Sequence, residues 1–512
     1  MEFINNNFLS LIVLVFSPLV AFSVILSPLL GDNEVFIRRF SKGFASLHFL
    51  YSILFLAFFD PTNLGYSFET ELKAFDVSWL KTLGITATFG VDGLSILLVV
   101  LTSFMVLLAL IVSKNIIRTR YRFYYSMIFL LQTAVLGVFC AKDMFLFFLF
   151  WELELVPMYF LISEWGSGES RKSAMKFLLY TFFGSMFMLL GMLMLYFYSF
   201  SANGVLTANI DSLNISEPVY PLAFQVLIFI FVMIGFAVKL PIIPLHTWLP
   251  DAHTDAVTPV SMLLAAILLK MGAYGIIRFN LMIFPEIFKM VAPIIMILAL
   301  INIVWAAMCA LVQKDLKRLV AYSSISHMGI VLLGLAAINE IGINGAIFQM
   351  LSHSFITAGL FLVVGIVYAR CKTRDIDVLS GLGEKMPILM MLGLVIALAA
   401  TGLPLLAGFP GELMTFIGTF TSDVQDGFLP KVATLIAVFT IILSAVYVLR
   451  MFHGIFYSAL PSQYNNVKDV SGHILGVLLI LVAIIVLFGV APSLLIDYFS
   501  TFTSILTDIL KV

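Results

Sequence analysis

Six ionisable side chains stand inside stretches that are otherwise apolar: Glu152, Lys239, Lys270, His327, His353 and Glu412. A charge in hydrocarbon is costly, so each needs a partner or a task. Carboxyl, ammonium and imidazole groups in one dry region are what a proton path is made of, because each changes its hold on a proton when a neighbour moves or charges. Glu152 lies nine residues past Asp143, roughly 13 Å along a helix and near the middle of a hydrocarbon core about 30 Å thick. Glu154, two residues on, points to a different helix face and reads as half of a static ion pair as readily as a proton carrier. Lys239 stands just before Pro241 and Pro244, where unwound carbonyls and water can solvate an ammonium. Lys270 is eight residues from Arg278, roughly 12 Å, too deep for its stem to snorkel out. His327 follows Tyr322-Ser-Ser-Ile-Ser326, and His353 sits between Ser352 and Ser354. A simple hydrogen bond to a carbonyl is the competing reading for each imidazole. Glu412 closes the series behind Gly408-Phe-Pro410-Gly411.

The elements that hold these groups must be membrane helices. The 512 residues are 62% hydrophobic and 11% charged, against about 25% charged in soluble domains. Lipid is therefore the solvent for most of the chain. A net charge of −1 gives no basic field for nucleic acid. Cys140, Cys309 and Cys371 lie far apart, with neither metal-ligand spacing nor a disulfide framework. Apolar segments long enough to span fall near 8–29, 43–59, 91–113, 123–141, 144–163, 175–199, 222–247, 257–279, 288–312, 319–337, 342–369, 386–420, 431–452 and 473–494. The first has only Glu2 ahead of it and no clear cleavage site, so it reads as a membrane helix, not a signal peptide.

The fold class is thus all-α and polytopic, with about fourteen transmembrane helices. Segments 222–247 and 386–420 carry Pro and Gly in mid-span and are predicted to be discontinuous. They lie five spans apart, an offset that inverts the second copy and points to an inverted-repeat transporter with its site near the midplane, kinks made only for packing being the alternative. Alternating loops place nineteen Lys and Arg on one side and seven on the other, Lys73, Lys81, Arg278 and Lys289 among the seven, with Lys239 and Lys270 inside the membrane. The richer side is then cytoplasmic, and both termini face outward.

The run Lys239-Leu-Pro-Ile-Ile-Pro-Leu-His246-Thr-Trp248-Leu-Pro250-Asp251-Ala-His253-Thr-Asp255, continued through Lys270-Met-Gly-Ala-Tyr-Gly-Ile-Ile-Arg278, resembles the antiporter-like subunits of respiratory complex I. Its second part resembles the subunit M (chain 4) type of NADH-quinone oxidoreductase. Val91-Asp92-Gly93-Leu-Ser95, Trp151-Glu152 through Val156-Pro157, Asp315-Leu-Lys317-Arg318 with the His327 run, and Gly402-Leu-Pro404 through Glu412 extend the likeness. The resemblance implies fourteen helices with two inverted five-helix repeats: helices 1–3 in residues 1–122, a first repeat in 123–279, a second in 288–452, and helix 14 with a tail in 453–512. It implies Glu152 and Lys239 as the coupled pair of the first half, Lys270 and His327 as a central relay, and His353 leading toward Glu412. It carries no role onto Glu154.

The chain has no Gly-rich dinucleotide loop, no iron–sulfur Cys cluster and no haem-like His pair. The electron chemistry must then sit in partners, and the resemblance implies NADH, FMN, iron–sulfur clusters and quinone in partner subunits, beside antiporter-like L and N types, with no cofactor and no metal expected in this chain. The expected setting is a bacterial inner membrane with both termini periplasmic. The expected function is outward proton pumping driven by NADH oxidation and quinone reduction elsewhere in the complex. A subunit of a multisubunit sodium/proton antiporter or of a membrane-bound hydrogenase is the alternative within the same chemistry. A self-contained solute carrier would need a more polar cavity, and a scaffold would not need six deep ionisable groups.

Overall fold

In the computed structural model of the chain, described for residues 10–27, 33–63, 65–72, 80, 82–204, 206–213 and 221–511, all fourteen predicted segments fall on helices. The outer ends of the first segment, together with Lys73, Lys81 and Val512, lie outside the described residues. In chain order the helices are α1 Leu11–Leu26, α2 Glu34–Phe58, α3 Gly93–Val112, α4 Tyr121–Cys140, α5 Met144–Leu153, α6 Leu155–Ser163, α7 Ser170–Asn203, α8 Leu222–Lys239 and α9 Trp248–Asp255. There follow α10 Thr258–Leu281, α11 Pro285–Val312, α12 Leu316–Ala336, α13 Glu340–Cys371, α14 Pro387–Ala400, α15 Gly408–Phe420, α16 Phe428–Phe456, α17 Gly472–Val490 and α18 Ser493–Lys511. Among the described residues twelve helices, α5 and α6 counted as one, are long and apolar enough to cross a membrane; α1 and α14 are apolar but shorter. The chain is a polytopic, helical membrane protein. Helices suit it because each satisfies its own backbone groups where no water is available.

The helices sort into a centre and a shell. α10 and α13 are buried along their length, and α12 joins them between α11, α13 and α15. The shell helices turn apolar side chains outward, as at Ile294, Phe439 and Leu479, where lipid tails are the natural neighbour. Polar caps fix where helices begin: Asp92 accepts from Leu94 and Ser95, Asp143 from Phe145 and Leu146, Asp315 from Arg318, and Asn339 from Gly342. Each satisfies donors that a helix start leaves unpaired.

Both predicted breaks are present. α8 stops at Lys239, and residues 240–247 turn before α9 begins. Pro241 and Pro244 cannot donate there, and the Ile243–Pro244 peptide is cis. The freed groups are met by Asn302 of α11, whose amide accepts from Ile243 N at 2.8 Å and donates to Pro241 O at 3.1 Å. α14 stops at Ala400, and α15 restarts at Gly408. Gly402 sits between them at φ +70°, the left-handed region that glycine occupies freely.

Three features were not predicted. α10 contains two π-turns, Leu264–Leu268 and Ile276–Leu281. The loop before α3 folds into an antiparallel pair, β1 Ser67–Glu71 with β2 Thr88–Val91. The expected C-terminal tail is helix α18, which lays Phe499, Thr503 and Leu506 against α3 and α13, with Thr503 Oγ1 donating to Asn344 Oδ1 at 2.7 Å.

Candidate functional site

Lys239 closes α8 and is 1% exposed. Its ammonium hydrogen-bonds Glu154 and lies 5.6 Å and 5.3 Å from the ring centroids of Trp151 and Phe177. Of the expected Glu152–Lys239 pair the structure shows electrostatic range without contact; the carboxylate touching the ammonium belongs to Glu154. The reason is helical register. Phe147, Phe150, Trp151, Glu154, Leu155 and Met158 are all buried, and their three- and four-residue spacing makes one inward stripe. Glu152 lies off that stripe, half-buried beside Ser185 of α7, within electrostatic range of Lys239 but not in contact. Its Oε1 is buried without a hydrogen-bond partner.

Lys270 lies in the middle of α10 and is fully buried. The π-turn at Leu264–Leu268 shifts the local hydrogen bonding, and Lys270 Nζ donates to Ala265 O at 2.8 Å. Such turns recur where a helix makes room for function. The ammonium's second partner is His353 Nδ1 at 2.7 Å. With Lys270 as an ammonium, which only donates, His353 accepts at Nδ1. Ser354, the next residue on α13, donates to Ala266 O at 2.7 Å and fixes the crossing of the two helices.

The order of the histidines also differs from what the resemblance implies. The resemblance put His327 beside Lys270 and His353 on the way to Glu412. Here His353 binds Lys270, and His327 of α12 approaches Glu412, with Nδ1 3.5 Å from Oε1. The two imidazole rings lie 5.7 Å apart. α13 crosses α10, which brings its midpoint to Lys270; α12 packs on α15, which brings His327 to Glu412. Gln349, one turn before His353, joins the series at 3.3 Å from His327 Nδ1. Glu412 itself is 5% exposed and lies against the Cα of Gly402, so close that a Cβ there would fall 2.2 Å from its Oε2. All six predicted residues are thus within the helix bundle: Lys270, His353, His327 and Glu412 form one line, and Lys239 sits with the Glu152–Glu154 turn apart from it.

Several polar groups escaped the sequence reading. Arg278, counted there as a loop charge, is 1% exposed. It pairs with Asp92 and is ringed by Tyr66, Tyr274 and Phe502 at 5.0–5.4 Å. A cavity of about 220 Å³ opens beside this pair. Nearby, Lys142 joins Glu69 and, at 3.0 Å, Asp211. Burial pulls the Lys142 ammonium down, but the Glu69 hydrogen bond and the Asp211 charge more than reverse this, so it titrates above the usual lysine range. Asn302 could have been found as an amide in mid-span, and Gln349 as the residue four before His353. The Asp92–Arg278 pair joins residues 186 positions apart, and local pattern carries no signal for it. Among the described residues, no group of three or more His, Cys, Asp or Glu is placed to hold a metal ion.

Comparison with known proteins places this geometry in a family. Residues 141–440 match the family described as NADH:quinone oxidoreductase/Mrp antiporter, TM. The chain is 40% identical over 482 residues to NAD(P)H-quinone oxidoreductase chain 4 1 of Picosynechococcus sp., covering 93% of this chain and 88% of the relative. It is 42% identical over 442 residues to a chain 4 3 of Trichormus variabilis, covering 86% and 80%. Its fold matches a chain of respiratory complex I from Thermus thermophilus with bound NADH, at a TM-score of 0.85 and 28% identity over 98% of this chain and 99% of that one. A chain of the Mrp complex from Dietzia sp. shares the fold equally well, at a TM-score of 0.85, with 20% identity.

Proposed function

The chain belongs to the chain 4 (subunit M) family of NADH:quinone oxidoreductase, as an antiporter-like membrane subunit of an NAD(P)H-quinone oxidoreductase complex, and from that premise we propose that it carries protons outward across the membrane. The observation that supports this most is the buried line Lys270–His353–His327–Glu412 through the centre of the bundle. Each member can hold or release a proton, and each lies where water is scarce. Lys270 passes a proton to His353 Nδ1, to which it already donates. His353 then carries a proton on each ring nitrogen and releases one toward His327, which passes one to the Glu412 carboxylate. Gln349 holds the His327 ring from the side. Glu412 beside the α14–α15 break is the outlet of this half, and Lys239 beside the α8–α9 break serves the other half, with Glu152 and Glu154.

Two inverted five-helix repeats, one in 123–279 and one in 288–452, are the architecture we assign to these halves. Breaks at Lys239 and beside Glu412 stand in corresponding places, as expected of such repeats. Both termini face the outer compartment in this reading, from the asymmetry of Lys and Arg. NADH, FMN, iron–sulfur clusters and quinone act in partner subunits, and antiporter-like subunits of the L and N types flank this one. The test is proton movement per NADH oxidised in proteoliposomes holding the assembled complex. Glu412→Gln keeps the shape and removes the titration, and is expected to abolish outward pumping. Wild-type pumping in that variant would end the outlet assignment.

A further inference from the structure

We infer that Glu154 is a second working carboxylate of the proton path, and that Lys239 alternates between Glu154 and Glu152. This rests on the proton-carrying reading above and adds to it a residue for which the resemblance supplied no role.

The argument begins with charge count. One ammonium and two carboxyl groups share one turn of apolar surroundings: Lys239 and Glu154 are 1% and 0% exposed, and Glu152 is half-buried beside Ser185. Arg and Lys side chains that could balance a second carboxylate are absent from the described ion pairs here; those of Lys239 involve only Glu154. In low dielectric a lone buried charge is strongly disfavoured. The neutral arrangement is therefore one ammonium, one carboxylate and one protonated carboxyl. In the described geometry Lys239 is held by Glu154, which leaves Glu152 to keep the proton.

Geometry supplies the alternative. Residues two apart on a helix are displaced by about 3 Å along the axis and about 200° around it, so the two carboxyl groups leave opposite sides of one turn. Glu154 occupies the point where α5 gives way to α6, and Pro157 removes the donor that Leu153 O would use. That turn is less constrained than a continuous helix. Lys239 likewise sits at the last residue of α8, before a break. The faces of Trp151 and Phe177 line its surroundings, holding a cation by attraction without fixing its direction. Both carboxyl groups keep an unpartnered oxygen, Oε1 of Glu152 and Oε2 of Glu154. Each is an open seat for a proton or for the ammonium.

Moving the ammonium from Glu154 to Glu152 balances as follows. Glu152 gives up its proton on the side facing away from Lys239 and becomes the carboxylate partner. Glu154 takes one proton from the interior and becomes the neutral acid. One proton enters, one leaves, and the charge of the cluster is unchanged. One carboxyl group thus takes up a proton while the other releases one, and Lys239 decides which is charged.

The test uses the assembled complex in proteoliposomes, with Glu412→Gln as reference. Glu154→Gln is expected to lower protons moved per NADH at least tenfold, and to remove a carboxylic-acid band from the infrared difference spectrum recorded on NADH addition. Glu154→Asp is expected to assemble, keep part of the pumping and shift its pH profile, since the shorter acid holds Lys239 less closely. Where Glu154→Gln yields no assembled complex, Glu154→Asp decides. A wild-type rate and pH profile in that variant would overturn the inference. So would normal pumping in Glu154→Gln, or lost pumping with an unchanged infrared difference spectrum. If Glu154→Gln pumps normally while Glu412→Gln does not, this inference fails alone. If both pump normally, the proton-carrying reading fails with it.

Discussion

Gly402→Ala should disable the Glu412 end of the line at a distance of ten residues. Gly402 has φ +70°, and an alanine Cβ built there would stand 2.2 Å from Glu412 Oε2 and 3.2 Å from its carboxyl carbon. Two costs separate cleanly. The left-handed backbone costs an L-residue roughly 1–2 kcal/mol. The contact costs little stability, because it meets the free end of a side chain, but ordinary van der Waals approach begins at 3.4 Å, so the carboxylate must retreat by about 1.2 Å. His327 Nδ1 already stands 3.5 Å from Oε1, and a further ångström opens that step beyond proton-transfer reach. Misplacement by about 1 Å commonly costs on the order of 10²-fold in rate. Gly204→Ala is the matched control, since Gly204 has φ +69° and nothing within 4 Å of its added Cβ. Both variants should lose similar stability, and only Gly402→Ala should lose pumping, measured as acidification of proteoliposomes per NADH oxidised. Equal pumping in the two variants would refute the reasoning, because it would show that Glu412 need not stand where the structure puts it.

Asn302→Leu should loosen the α8–α9 break, since it strands Ile243 N and Pro241 O, two groups whose loss of partners costs about 1–3 kcal/mol each; a fall in the melting temperature of the detergent-solubilised complex checks this. Asp92→Asn should destabilise assembly by about 3–5 kcal/mol, because it leaves Arg278 buried without its counter-charge; Asp92→Asn with Arg278→Met should recover part of that loss, and equal instability of the single and double variants would contradict it. The Lys142 tether to Glu69 and Asp211 has a raised folded pKa, so its stabilising effect is fully present below the usual lysine value and is lost only as pH rises through the higher folded one. Protease cleavage of the loop before α3 should be unchanged between neutral pH and pH about 9 and increase beyond the ordinary lysine range near 10.4. Cysteines placed at the exposed Lys431 and Lys468 should be labelled by an impermeant reagent from the outer and the cytoplasmic side respectively; the reverse pattern would invert the topology.

Sequence legibility followed the physics of each feature. The spans and both breaks were readable because hydrocarbon demands long apolar runs and because Pro and Gly interrupt helices whatever surrounds them. The ionisable residues were readable for the same reason, each being an exception that needs an account. The register of Glu152 and Glu154 was not readable. Face assignment relies on contrast between apolar and polar positions, and Met144-Phe-Leu-Phe-Phe-Leu-Phe-Trp151 offers none. The stripe that buries Glu154 is visible only once α7 and α8 are in place. The order of His353 and His327 depends on helix crossings between α10, α12, α13 and α15, which single-helix periodicity does not encode. The π-turns of α10 have no local marker; they become visible through Lys270, which uses the carbonyl of Ala265. Tertiary pairing across long separations hid Arg278, whose place at the very end of its predicted span made it look like a loop charge.

The central claim, that protons cross through the buried line from Lys270 to Glu412, is tested most directly by Lys270→Met. Methionine fills nearly the same volume and carries no proton, so His353 loses its donor while the packing of α10 against α13 is kept. The measurement is protons moved outward per NADH oxidised, in proteoliposomes containing the fully assembled complex. The account predicts that pumping falls at least tenfold in this variant while the complex retains its partner subunits. An assembled Lys270→Met complex that pumps at the wild-type ratio would contradict it.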